Sequence, residues 1–563
     1  LVFDFNSGMT VDTVYVNGII QGFEHKNDFI KLQVSPVVTP GTMFTAKVIY
    51  HGTPPTGDFF SGITSGYSEK YGTHVTWTLS EPYAAKDWWP VKQALGDKAD
   101  SVWVFLTTSA ENMAGSQGLL TAVTPMPGGK LRYEWKSRYP IDYYLISFAV
   151  ADYQEYKLYA YPEGMAEPVF IQNYIYDHPN CLADYKAGID RTASFIELFS
   201  GLFGNYPFAA EKYGHCLAEL GGGMEHQTMT TIGGFSFTLV AHELGHSWFG
   251  DYVTCATWND IWINEGFATY CDYLAHSFLA DPIYDSIWLK IRHDQVKSLP
   301  GGSVWVPNDQ LGDVWRIFDG RLSYSKGALL LHMIRFELQD DDLFFEILKS
   351  YAAEYGHSVA TGNDFREWLE MKSGKDFSGF FNQWYYGEGY PIFKIVWNQT
   401  NDTLNIYSTQ STSTQVTTLF KMTLPFRVNF TDGTDTTLLF YQDDHQVAFS
   451  APVAKSISQI ELDPDQWVLH KLNSISVGIE DTDSPVYFSI GPNPAHERLN
   501  LYFPNFTGKK IEMSIIDLSG RIVLSQAISQ SSNLVEIDHL CSGIYLVSVT
   551  DGEWMMNKKL VVE

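Results

Sequence analysis

The chain has 563 residues, 45% of them hydrophobic and 15% aromatic, which is ordinary globular material rather than a disordered chain, with length for about three or four domains. Its 37 Lys and Arg against 65 Asp and Glu leave a net charge of −28, which disfavours nucleic acid or an anionic membrane surface as a partner. No apolar run approaches the roughly 18 residues of a membrane span, and five scattered cysteines (Cys181, Cys216, Cys255, Cys271, Cys541) without a Cys-x-x-Cys pair specify neither a disulfide framework nor a thiolate zinc site.

In chain order, residues 1–153 alternate apolar and polar positions, as in "TMFTAKVIYHG" and "DSVWVFLTTSA", and predict an N-terminal antiparallel β domain. From 154 to 388 the period turns helical, in "FTLVAHELGHSWFGDYV", "NEGFATYCDYLAHSFLA" and "KGALLLHMIRFELQ", and predicts a mainly helical domain. Short strands return over 389–472, in "FKIVWNQT", "TLNIYSTQ" and "LPFRVNF", as expected of a small β-sandwich. The polar stretch 473–485, "NSISVGIEDTDSP", reads as a linker, and 486–563 as a further strand-rich module with turns at "DLSG" and "CSG". The whole is a multidomain α+β chain.

The stretch "AHELGHSWFG" carries the first chemical signal. His242 and His246, four residues apart, share one helix face and can reach one ion, with Glu243 beside them to act on water. The pentapeptide alone turns up by chance in roughly one or two such chains per hundred, so further ligands must decide. A catalytic zinc usually takes three protein ligands and keeps one position open. Eighteen residues separate His246 from Glu265, early in a second predicted helix that can pack on the first, and this carboxylate completes a His, His, Glu set. Asp272 lies about two turns beyond Glu265 on the same face, placed to orient a ligand histidine.

Together "HELGHSWFGDYVT", the spacing to "NEGFATY", the upstream "LGGGMEHQT" and the later "FFNQWYYGEGYP" resemble the zinc aminopeptidases of peptidase family M-one, over roughly residues 1–472. The resemblance implies a thermolysin-like catalytic domain holding one zinc ion on His242, His246 and Glu265, with Glu243 as general base and Tyr324 of "LSYSKGALLL" stabilising the oxyanion. It also implies that Glu225 holds the free amino group of a peptide substrate, with Glu81 of "LSEPYAAKDWWP" sharing that task. Paired carboxylates near zinc would bind an α-ammonium and fix cleavage one residue in. Gly221, Gly222 and Gly223 would let backbone approach substrate closely.

Two departures from the family pattern carry expectations. His226 stands where relatives usually have Asn, and could shift the backbone or add a titrating group near neutral pH. The long C-terminal helical domain that many relatives close over the site is not recognisable, so a more open site is expected, without the arginine that domain donates in some relatives. Residues 486–563, with "PNPAHERLNLYF", "IIDLSGRIVLSQ" and "LCSGIYLVSVT", resemble the C-terminal sorting domain of type-nine secretion in Bacteroidetes-type bacteria. That resemblance implies a secreted or cell-surface protein handed to the secretion machinery, with a secretory signal ahead of Leu1. Two other readings stay open: a zinc endopeptidase or a hydrolase of another substrate such as an epoxide, and a non-catalytic surface binding protein. Glu243 and Tyr324, which a structural zinc site does not need, argue against the last.

Overall fold

The structure, a computed structural model, describes residues 1–57, 59–478, 488–503, 510–552 and 555–563. It is multidomain: β-rich at the N-terminus, helical in the middle and β-rich again towards the C-terminus. By contacts it divides into two units, Leu1–Ile395 with Gln399–Ile475, and Val396–Asn398 with Ser476–Glu563.

Up to residue 151 the chain is a succession of small antiparallel sheets. The alternation of Thr10–Val16 sends Val14 and Val16 inward to pack with Phe5 and Ile30, while its polar residues face out. A four-stranded sheet of Met113–Gly115, Ala149–Ala151, Thr73–Leu79 and Gly62–Ser68 leads directly into Glu81, which follows its third strand.

The helical texture begins later than the sequence periodicity predicts. Residues 153–232 form a five-stranded mixed sheet ordered Tyr153–Ala160, Val169–Tyr176, Tyr213–Leu217, Thr230–Ile232 and Gly223–Met224. Helix α1, Cys181–Phe203, makes the crossover between the parallel strands Val169–Tyr176 and Tyr213–Leu217, a connection that parallel pairing requires. These strands were missed because they are covered on both faces: in Val169–Tyr176 every residue but Phe170 is buried, so no alternation marks them.

Past the sheet come α2, Phe237–Gly245, α3, Trp262–Leu279, and α4, Ile283–Lys297. The Ser236 side chain accepts from Leu239 N–H and caps α2. Residues 262–275 of α3 are buried all round, as expected of a helix packed against neighbours on every side. Where α3 meets the helix Gly327–Leu338, Gly266 faces Gly327, and a Cβ at Gly266 would stand 3.0 Å from the Gly327 carbonyl carbon. That contact needs glycine.

After the last helix, Ser378–Trp384, two sheets pack around Phe393, Ile395, Leu404, Ile406, Leu424 and Phe426. A strand, Lys471–Val477, occupies the first part of the predicted linker 473–485; sheet hydrogen bonds use backbone groups, so a polar sequence does not prevent a strand. Residues 479–485 of that linker lie outside the described residues, as do 486 and 487 of the last module. The described part of the C-terminal unit has sheets of three and four strands around Leu499, Leu501, Met513, Ile515, Val547 and Val549. Among the described residues all five cysteines are free, and no helix is long and apolar enough to cross a membrane.

Candidate active site

Helices α2 and α3 bring three ligand atoms together. His242 Nε2 and His246 Nε2 are 3.2 Å apart, and Glu265 Oε2 stands 3.3 Å from the first and 3.4 Å from the second. Atoms bound about 2.05 Å from a tetrahedral zinc sit about 3.3 Å from one another, so this triangle fits the ion. His246 Nδ1–H donates to Phe249 O at 3.1 Å, which fixes the tautomer and leaves the Nε2 lone pair for a metal. Glu265 Oε2 is buried with no hydrogen-bond partner, a cost that a cation would remove.

Glu243, next to His242 on α2, is buried, and its oxygen lies within 4.8 Å of ligand atoms of His246 and Glu225. Gly223, in the edge strand, shapes this position: a Cβ there would overlap the Glu243 carboxyl group. Of the glycine triplet, Gly223 is thus demanded by packing and Gly222 by a φ of +135°, whereas Gly221 has open space.

Glu225 leaves the same edge strand, and Glu81 arrives from the N-terminal sheets, some 140 residues away in sequence. Their oxygens and that of Glu265 lie within 4.8 Å of one another, and Glu81 Oε1 and Glu225 Oε1 are both buried without a hydrogen-bond partner, the latter 4.0 Å from His246 Nδ1. Burial, then the negative charges of Glu225 and Glu265, hold Glu81 well above the usual carboxylate range. Burial likewise pushes Glu225 up to about 7 against the pull of His246, and raises Glu243 well above its ordinary value. The pocket is short of positive charge.

Tyr324 sits in a π-helical turn, Gly320–Lys326, of the kind often found at functional sites. Its ring stacks on His242, centroids 5.9 Å apart and 14° between planes. Burial, then Glu265 and Glu81, keep its hydroxyl protonated far above the ordinary tyrosine range, so it remains a donor. The close approach of Gly266 and Gly327 helps hold this turn against α3.

The structure thus gathers His242, His246, Glu265, Glu243, Glu225, Glu81 and Tyr324 around one cleft of about 360 Å³. Asp272 lines the cleft but does not orient a ligand histidine: its carboxylate faces Arg292 Nη2 at 3.4 Å and His276 Nε2 at 3.7 Å. Two turns along α3 carry it past the imidazoles, and the acceptor beside His246 is the Phe249 carbonyl instead. His226 is also unlike the expectation: it is fully buried, Nδ1 lies 2.9 Å from Thr231 Oγ1, and burial pushes its pKa down to about 3, so it does not titrate near neutrality. Arg292 was missed, since a lone arginine on a polar helix carries no motif.

Comparison with known proteins bears on this site. Residues 222–384 match the Peptidase family M1 domain, and residues 489–563 the Secretion system C-terminal sorting domain. Aminopeptidase N of Lactococcus lactis subsp. lactis is 32% identical over 162 residues, 27% of this chain and 19% of that protein. The chain spans less than a third of the length of the curated relatives it matches. The crystal structure of an M1 zinc metallopeptidase from Deinococcus radiodurans is 25% identical with a TM-score of 0.57, covering 66% of this chain and 82% of that one. The fold is also shared with Legionella pneumophila aminopeptidase A, at a TM-score of 0.71 and 16% identity over 84% of this chain and 55% of that one.

Proposed function

With a peptidase family M1 domain at residues 222–384 as the premise, we propose that this protein is a zinc aminopeptidase that removes the first residue from peptides with a free N-terminus. The observation that carries the exopeptidase reading is the pair of buried carboxylate oxygens without partners, Glu81 Oε1 and Glu225 Oε1, beside the metal ligand Glu265. Two buried acids cost stability unless a cation meets them. An α-ammonium does so, and binding it there leaves the first peptide bond over the ligand triangle.

His242, His246 and Glu265 would hold one zinc ion in a thermolysin-like catalytic domain. When bound, the ion supplies Lewis acidity, polarising a carbonyl and making water a stronger acid. Glu243 takes the proton from the attacking water and delivers it to the leaving amine; its burial raises its basicity for that exchange. The Tyr324 hydroxyl donates to the oxygen that gains negative charge, a contact worth about 3 kcal/mol in comparable sites. The sorting-domain likeness of residues 489–563 supports export to the cell surface or beyond, through secretion machinery that reads this C-terminal module.

The test is a screen of aminoacyl-coumarins, free and N-acetylated, with and without a chelator. Zinc-dependent hydrolysis of the free amines only is expected. Equal hydrolysis of blocked and free substrates favours an endopeptidase or another hydrolase instead.

A further inference from the structure

The cleft is strongly acidic, yet it contains one guanidinium. Glu81, Glu225, Glu243, Glu265 and Asp272 line it, and among the described residues Arg292 of α4 is the one Lys or Arg in its lining. Arg292 is weakly engaged by the protein. Its Nη2 is 3.4 Å from Asp272 Oδ2 and its Nη1 3.5 Å from Gln295 Oε1, both at the outer edge of hydrogen bonding, and its Nε has no partner. The guanidinium lies 5.1 Å from the Trp288 ring centroid, and its side chain keeps 22% exposure. A structural counter-ion for Asp272 would be expected to close a short, bidentate pair. This one makes only long contacts through Nη1 and Nη2 while its side chain lines the cleft.

Its place along the cleft says what those donors would meet. The unpartnered Glu81 and Glu225 lie at Glu265, and Asp272, which marks Arg292, stands seven residues further along α3, about 10 Å away at 1.5 Å per residue. An extended peptide rises about 3.3 Å per residue, so two or three residues span the interval. An acidic cluster for the ammonium at one end is thus matched by a cation at the other.

We propose that Arg292 is a specificity residue that binds a carboxylate on the leaving side of the scissile bond, so that the enzyme favours short peptides ending there or an acidic residue in that position. This rests on the aminopeptidase reading above and adds the second end of the substrate. The two sources of carboxylate, chain terminus and side chain, are separated by the substrates used.

The experiment measures kcat/KM for leucine release by the zinc-loaded full chain from Leu-Ala against Leu-Ala-amide, and from Leu-Asp-amide against Leu-Asn-amide. In at least one pair the carboxylate form should be favoured about tenfold or more, the usual worth of a charge-assisted contact. The first pair reports a chain terminus and the second a side chain. Arg292→Gln should bring that ratio close to one, and Arg292→Lys should keep part of it. Each ratio is taken within one enzyme, so loss of active protein cancels. Should Arg292→Gln not fold, Arg292→Met, which keeps an apolar stem over Trp288, makes the same comparison. A parent enzyme with no preference in either pair, or a preference that survives the neutral substitution, overturns the proposal while leaving the aminopeptidase reading intact. Failure to release leucine from any of the four overturns both.

Discussion

Gly223 and Glu243 are in such close register that a β-carbon on the glycine would occupy the volume of the glutamate carboxyl group. The edge strand and α2 therefore meet at a glycine because the proposed general base needs the space. Gly223→Ala should displace Glu243 and lower kcat/KM by about a hundredfold, the usual scale for a misplaced acid–base group. Zinc content should stay at one per chain. A parent-like rate in this variant would remove Glu243 from the chemistry.

The metal ligands and the proton-handling groups separate by what they retain. His242→Ala and Glu265→Gln should lose zinc along with activity, since each removes one corner of the 3.2–3.4 Å triangle. Glu243→Gln and Tyr324→Phe should keep zinc and lose about a hundredfold or more in kcat. Metal analysis beside steady-state kinetics distinguishes the two groups, and a Glu243→Gln protein without zinc would contradict its exclusion from the ligand set.

Recognition of the amino terminus should follow substrate charge. Glu225→Ala should cost free-amine substrates roughly 1.5–3 kcal/mol in kcat/KM and cost an N-acetylated substrate little. Glu81→Ala should show the same pattern, because its orphaned oxygen stands in the same cluster. Equal losses on blocked and unblocked substrates would dissociate both residues from the ammonium.

The buried histidines make two pH predictions. Because burial holds His226 near 3, His226→Asn should leave the shape of the kcat/KM profile between about pH 5 and 8 unchanged. A shifted limb in that window would place a titrating His226 in the active enzyme. For stability, burial also depresses His215 and His332 to about 3 and His470 to about 4. The unfolded chain takes up these protons near pH 6.5, so stability is intact above that pH. It falls as pH drops through the window from about 6.5 towards 3, by up to about 1.4 kcal/mol per pH unit for each histidine. Urea unfolding at about pH 7 and about pH 5 should show this loss, reduced in His332→Gln.

How much of this was legible in the sequence depends on how local each feature is. His242, Glu243 and His246 are one turn of one helix, and Glu265 opens the next, so helical geometry alone brings the first three together and a short spacing suggests the fourth. The strands around residues 10–16 were readable because one face is wet. The inner strands of the mixed sheet, Val169–Tyr176 and Tyr213–Leu217, were not, because strands buried on both faces lose the alternation that marks a strand. Glu81 could only be suggested by resemblance, since its place beside Glu225 depends on how the N-terminal sheets pack against the catalytic region. Asp272 shows the opposite error: helical spacing correctly gave it the face of Glu265, but two turns of rise set it beside Arg292 and His276 rather than the ligand imidazoles. Likewise His226 looked like a titrating group until burial made it a neutral one. By itself, then, the sequence determined the chemistry available, a His, His, Glu set able to hold a metal with a glutamate beside it, because those residues are held by local helical geometry. Only the tertiary structure decided the charge environment, in which an acidic pocket is bordered, among the described residues, by one weakly held guanidinium. Burial and distance between elements far apart in the chain set that environment, and neither is encoded in any one segment.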